Sequence, residues 1–481
     1  MSKILKITQT LRQQFIDGHF RDMHQFMSVR ALAAQYGVSI NSANKILQSL
    51  EDLGFLISVP KSGFFVKHTP AIKSVKKTAR PIFCANPLIK NRASQIRSWA
   101  EMVSTQASVR LDLATASPDF YPTHQLQTLH NRLARHHPSM LTEYAIGGGF
   151  PPLRAQVAQQ YNAVGCDLTV DDVLITHGAT QALMLALQAS TQAGDWVLIE
   201  APTYFGFLPL LDSLQLHAVE MPIDVNMGLQ PADIQAALKH AANKGHTIRA
   251  CLLQANFHNP TGASIAHHVR RELLDVCAAH EIAVIEDDTF GALPHVGAQR
   301  AAPLKALDTQ HNVILCGSLS KLIAPGLRIG FVAGGRWAES IKALQHATAI
   351  ACATLPQAVL SEFMHSNYKA YLKKMRQVCQ QSIAMARKIV SETFPKGTTM
   401  SAPQGGYLLW VILPAHCNAQ KLLDAAMAQH GIAFAHGGLF SNLSAQQSSL
   451  RLNCALMAQS HEQEGLQKLG QIAEQMFGVK N

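Results

Sequence analysis

Apolar positions recur every three or four residues through the first fifty residues of the chain, and then the period changes. Ile4, Ile7, Leu11 and Phe15 fall at helical spacing within residues 3–18, where Gly18 can end the helix. The stretch "SVRALAAQYG" predicts a short second helix with Ser28 as N-cap and Gly37 at its C-terminal end. Ser39 caps a third helix through "INSANKILQSLEDLG", which stops at Gly54. The following "FLISVPKSGFFV" alternates and turns at Lys61-Ser62-Gly63, as a β-hairpin does. From residue 108 onward, strand-like runs alternate with helical patterns: "DVLITHG" before "ATQALMLALQAS", "DWVLIEAPTY" before "FGFLPLLDSL", then "ACLLQAN", "IAVIEDD" and "NVILCGS". That alternation predicts an α/β fold with a mostly parallel sheet, helices on both faces, and sites at the C-terminal ends of the strands. Residues 69–107, containing "TPAIKSVKKTARP", show no clear period and read as a flexible basic linker between a domain at 1–68 and one at 108–481.

Composition adds a division that periodicity alone does not give. The 481 residues exceed what one core usually supports, and 48% hydrophobic with 15% charged residues suits a soluble globular protein. Of the net +10, the first ninety residues hold +9, from 13 Lys and Arg against Asp17, Asp22, Glu51 and Asp52. A basic head on a near-neutral body points to a polyanion-binding module attached to something else. The nine cysteines include no Cys-x-x-Cys pair, so reduced thiols and no metal site are expected. No apolar run reaches membrane length and no secretory h-region opens the chain, so the expected location is the cytoplasm, away from membranes.

Helix, tight turn, helix and wing is the helix-turn-helix arrangement, whose second helix enters the major groove of double-stranded DNA. The third helix presents Asn41, Ser42, Asn44 and Lys45 near its start, with Ser39 at the turn. These are short donors and acceptors for base edges and phosphates, plus one cation. Arg30 and Lys61 are the expected phosphate contacts of the flanking helix and the wing. The segment resembles the GntR family of winged helix-turn-helix regulators through "IDGHF", "SVRALAAQYGVS", "SLEDLGF" and "PKSGFFV". It departs at Met27, where the family usually has proline, and at Ile40, where the family usually has arginine.

In the body, polar residues gather where strands end. Gly178-Ala179-Thr180 follows a strand and opens a helix, which favours a phosphate. Asn259-Pro260-Thr261-Gly262, Asp287-Asp288, Lys321 with Arg328, and Arg451 occupy other element boundaries. A pyridoxal phosphate site requires these types: a reactive amine, a carboxylate for the ring nitrogen, donors for the phosphate and an arginine for a substrate carboxylate. Residues 108–478 resemble a fold-type I aminotransferase domain through "EYAIGGGFPPLR", "THGATQAL", "EAPTYFG", "NFHNPTG", "VIEDDTFG", "GSLSKLIAPGLRIGF", "PQGGYLLW" and "SLRLNCAL". The resemblance implies a large sheet domain and a smaller C-terminal subdomain, with Lys321 as Schiff-base lysine and Asp287 on the pyridine nitrogen. It implies Ser318, Ser320, Arg328 and the backbone at Gly178, Ala179 and Thr180 on the phosphate, Asn259 on the ring 3′-oxygen and Tyr204 on the ring face. Arg451 would hold an effector carboxylate, and Tyr144 would reach the phosphate of the neighbouring subunit in a homodimer. Where the superfamily has a second ring-oxygen donor, a tyrosine, this chain has Phe290.

Head and body together resemble the MocR subfamily of GntR regulators, in which an aminotransferase-like domain is the sensor. The expectation is a transcriptional regulator that responds to pyridoxal phosphate, or to an amino acid or amine captured on it. The alternative is a working aminotransferase with an auxiliary DNA-binding domain.

Overall fold

The protein is described by a computed structural model that covers residues 3–16, 20, 24–52, 55–59, 62–66, 83–84, 92–298, 300–442 and 446–478. The chain divides into two units, residues 1–80 and 81–481.

In the first unit three helices, α1 (Lys3–Ile16), α2 (Val29–Tyr36) and α3 (Ile40–Asp52), precede a hairpin of β1 (Leu56–Val59) and β2 (Gly63–Val66). The helical stripe expected of α1 is the buried one, with Ile7, Leu11 and Phe15 packed on Leu32, Ile46 and Leu47. Ser28 caps α2 by accepting from the Ala31 N–H at 3.2 Å, and Gly37 ends it at φ +58, a left-handed turn that suits a residue without Cβ. Ser39 accepts from the Ser42 N–H at 3.2 Å and so caps α3. The hairpin pairs Leu56 with Val66 and Val59 with Gly63. Gly18, Gly54 and Lys61 lie outside the described residues.

The second unit begins with β3 (Phe83–Cys84) and helix α4 (Arg92–Gln106). Over 92–106 a helix stands where a flexible linker, 69–107, was expected, while residues 69–82 and 85–91 of that linker lie outside the described residues. Ile96, Trp99 and Val103 recur at helical spacing and are turned inward, Val103 fully, while β3 pairs antiparallel with the edge of the main sheet. The stripe is short and lies among exposed polar residues, which hides its period in the sequence.

After β4 (Val109–Arg110) come β5 (Val173–Thr176), β6 (Trp196–Ala201), β7 (His217–Pro222), β8 (Ile248–Leu253), β9 (Ala283–Asp287), β10 (Val313–Ser318) and β11 (Gly330–Ala333). They form a mixed sheet in the order β3-β7-β6-β8-β9-β10-β11-β5. The five central strands from β7 to β10 are parallel, as the βαβ pattern requires, whereas β11 pairs antiparallel with both β10 and β5. Both faces are buried, one under helix Gly178–Ser190 and the other under helices Pro231–Asn243 and His267–Ala279.

A smaller sheet follows, built from β12 (Thr399–Met400), β13 (Leu408–Ile412), β15 (Ala435–His436) and β16 (Ser449–Asn453) in the order β12-β13-β16-β15. The remaining strand, β14 (Ile432–Ala433), pairs with β4. Helices Ala419–His430, Ser460–Phe477 and part of Tyr368–Thr393 cover this sheet around Leu409, Val411, Leu422 and Leu469. No helix among the described residues is long and apolar enough to cross a membrane.

Candidate functional site

Parallel pairing of β9 with β10 sets Asp287 beside Cys316, so the two strands run out together at one edge of the sheet. Lys321 follows three residues after the end of β10, on the turn that leads to Arg328. Burial, then the charges of Arg451 and Arg328, hold the Lys321 amine down at about 8, against the opposite pull of Asp287. An amine so placed has a substantial neutral, nucleophilic fraction near neutral pH.

Asp287 is fixed by donors. Gln254 Nε2 reaches its Oδ2 at 2.8 Å, and the Thr289 N–H reaches Oδ1 at 3.0 Å beside the Thr289 hydroxyl. Burial still pushes this carboxyl above its ordinary range. Gln254 also accepts from the Asn259 N–H at 2.8 Å and donates its own N–H to Glu200 Oε2 at 2.9 Å. Behind it, Glu200 Oε2 lies 3.3 Å from His258 Nε2. Burial raises Glu200 to about 8 and lowers His258 to about 3.

The helix Gly178–Ser190 points its N-terminus at the same edge. Gly178 has φ +78, and a Cβ there would lie 2.7 Å from Arg328 Nη2, so glycine is what lets the guanidinium approach. Arg328 Nη1 donates to Ser320 Oγ at 3.4 Å, and the Ser320 N–H donates to Ser318 Oγ at 3.1 Å. A helix N-terminus, a guanidinium and two hydroxyls make an anion seat. Ala179 is half-buried and Thr180 exposed at its rim.

Arg451 closes the site from the smaller sheet, where β16 pairs it with Trp410 of β13. Its Nη1 donates to Asn259 Oδ1 at 3.1 Å, and its Nη2 donates to the carbonyls of Asp112 and, at 3.3 Å, Leu113. Its guanidinium carbon lies 5.7 Å from the Phe205 ring and 5.2 Å from that of Phe440. Burial brings its pKa down to about 10, which leaves it charged at neutral pH, yet its Nε has no acceptor among the described residues. Tyr204 packs on Phe205 and edge-on to Phe207, and burial raises its phenol. Phe290 is buried edge-on to Tyr407 at 5.4 Å. Tyr144 is 71% exposed in the chain, and its neighbours in sequence, Leu141 and Ile146, are largely exposed too.

In the first unit, Arg30, Ser39, Asn41, Asn44 and Lys45 are exposed and Ser42 is half-buried. Ser39 and Ser42 also share a 2.9 Å hydroxyl contact, so they spend part of their polarity on the helix start. Residues that pattern reading passed over include Gln254, Glu200, His258, Phe205 and Phe440. Glu200 and His258 stand inside quoted motifs, "EAPTYFG" and "NFHNPTG", whereas nothing local marks Phe440.

Comparison with known proteins agrees with this division. Residues 110–469 match the family "Aminotransferase class I and II", and residues 3–66 match "Bacterial regulatory proteins, gntR family". The chain is 29% identical to the uncharacterized HTH-type transcriptional regulator YjiR of Escherichia coli, over 98% of both chains. It is 23% identical to the HTH-type transcriptional regulator NorG of Staphylococcus aureus, over 92% of this chain and 98% of that one. Among solved structures, kynurenine aminotransferase of Pyrococcus horikoshii superposes with a TM-score of 0.74 at 24% identity, covering 82% of this chain and 98% of that one.

Proposed function

From the premise that the chain belongs to the class I and II aminotransferase family and carries a GntR-family helix-turn-helix head, as MocR-type regulators do, we infer that it is a DNA-binding transcriptional regulator whose body binds pyridoxal phosphate and senses an amine or amino acid with it. One observation carries the reading. The Lys321 amine is buried within electrostatic reach of the Asp287 carboxyl and of the Arg328 and Arg451 guanidiniums, with its pKa held at about 8.

The donor set fits the cofactor that this family implies. Gly178 leaves a cradle that a Cβ would fill, and Arg451 Nε is a buried donor without an acceptor among the described residues. Lys321 Nζ would hold the cofactor covalently, and Asp287 would hold its ring nitrogen. Ser318, Ser320, Arg328 and the amides at Gly178, Ala179 and Thr180 would take its phosphate. Asn259 would meet the ring oxygen, and Tyr204 would cover a ring face. When bound, pyridoxal phosphate supplies an electrophilic carbon at which one amine exchanges for another. Burial and the neighbouring cations make Lys321 Nζ a good leaving and attacking group in that exchange. Gln254 and Thr289 keep the Asp287 carboxylate aimed, and Arg451 selects ligands that bring a carboxylate. In a homodimer, Tyr144 of a second copy would complete the phosphate seat, and its exposure in the single chain suits that role. The head would read double-stranded DNA through Asn41, Asn44 and Lys45, with Arg30 and Lys61 on phosphates, in the cytoplasm where its DNA is.

A second reading, an aminotransferase in steady turnover, is favoured by the completeness of the amine, carboxylate and arginine set. Phe290 in place of the hydroxyl donor, and the presence of the head, favour the sensor. The deciding experiment adds pyridoxal phosphate to the full-length protein and to Lys321→Ala. The sensor reading expects a visible absorption band in the first and none in the second, together with a shift of that band by an amino acid without sustained product formation. A band that survives Lys321→Ala overturns the site.

A further inference from the structure

A stretch early in the second unit, helix α4 and the residues after it, is tied to Arg451 at two places. Helix α4 carries a single apolar stripe, Ile96, Trp99, Met102 and Val103, and its other described side chains are exposed, so little else holds it down. Trp99 meets Phe205 edge-on with centroids 5.8 Å apart, and Phe205 is one of the two rings against the Arg451 guanidinium. Beyond the helix, the carbonyls of Asp112 and Leu113 both accept from Arg451 Nη2.

This arrangement makes the segment and a ligand compete. A carboxylate grips a guanidinium best through two parallel N–H bonds, and the Nε–Nη2 edge offers such a pair. Nε has no acceptor among the described residues, but Nη2 is shared by the two carbonyls. A carboxylate on that edge must therefore displace at least one of them. It also draws the cation away from the rings of Phe205 and Phe440, which now lie against it.

We propose that Arg451 clasps residues 92–113 in the ligand-free protein and that a ligand carboxylate arriving on its Nε–Nη2 edge releases them. The proposal rests on the reading of Arg451 as the carboxylate seat. It makes this stretch, early in the second unit, the output of the site: capture of a carboxylate frees helix α4 and the residues that follow it.

The test uses hydrogen exchange on the full-length chain, with sodium propionate as the probe. Saturating propionate speeds exchange of the α4 amides about tenfold, the scale of losing a hydrogen bond to a charged group, and leaves the amides of β8 unchanged. Arg451→Gln gives the same acceleration without propionate and no further response to it. Trp99→Leu, which leaves the guanidinium in place, weakens the clasp and binds propionate more tightly, because clasp and ligand exclude each other. Unchanged or weaker propionate binding by Trp99→Leu overturns the clasp even where Arg451→Gln does not fold. Accelerated exchange in the variants with no response of the wild type to propionate overturns the release step through its premise, the carboxylate seat. Propionate binding that leaves α4 protected overturns the release step while that premise stands.

Discussion

Gln254 bridges Asn259 and Asp287: its amide accepts from the Asn259 N–H at 2.8 Å and donates to Asp287 Oδ2 at 2.8 Å. One side chain thereby sets the spacing of the two groups proposed to hold opposite sides of a pyridine ring. Replacing it with leucine leaves the Asp287 carboxylate buried with one donor fewer. A lost hydrogen bond to a charged group costs roughly 1.5–3 kcal/mol. Gln254→Leu should therefore release pyridoxal phosphate about tenfold or more easily, which equilibrium dialysis measures.

Uptake of the cofactor should follow the Lys321 amine. Burial and the neighbouring arginines lower its pKa, so the reactive neutral form grows as pH rises toward and through about 8. The rate of growth of the visible band should rise over that range and level off above it. Arg451→Ala removes a charge that holds the pKa down, so the midpoint should move to higher pH. The same shift bears on stability. A lysine whose folded pKa lies below its unfolded value destabilises the fold where it must be protonated, so the ligand-free protein should gain stability as pH rises from about 8 toward 10.5. Thermal melts of the wild type against Lys321→Met across that window check the sign.

Phe290 predicts a weak catalyst that is open to repair. The wild type should convert an amino acid at well below the rate of about 1 per second at the low end of ordinary enzymes. Phe290→Tyr, which restores a hydroxyl at the position where the family carries one, should raise that rate and shift the visible band. Single-turnover absorbance with excess amino acid reads both.

In the head, Arg30 and Lys45 are exposed and belong to different helices. Arg30→Ala should weaken binding to all duplexes alike and reduce the slope of log affinity against log salt by about 1, as loss of one phosphate contact does. Asn41→Ala should instead change the preference among sequences. Fluorescence anisotropy at several salt concentrations separates the two.

Much of this was legible in the sequence because it is local. Ser28 and Gly37 bracket a helix by chemistry acting within four residues, and the caps stand where that chemistry requires. Asp287 and Lys321 are marked by apolar runs that stop at a polar residue, so the strand ends could be read before the sheet was known. Helix α4 was lost because its four inward residues are scattered through an exposed polar stretch. The surroundings of Arg451 were illegible for another reason. Its contact with Asp112 spans 339 positions, and the Glu200–His258 pair arises only when β6 and the loop after β8 are buried together. Such relationships belong to tertiary packing and leave no period.

The long reach from Asp112 to Arg451 also orders events in time. The ribosome finishes the head some 385 residues before it makes Arg451. At elongation rates of about 5–20 residues per second, that interval is roughly 20–80 seconds. For that period the nascent chain has its helix-turn-helix but not the arginine that fastens residues 112–113. A chain stalled between the head and β16 would carry the helix-turn-helix without Arg451.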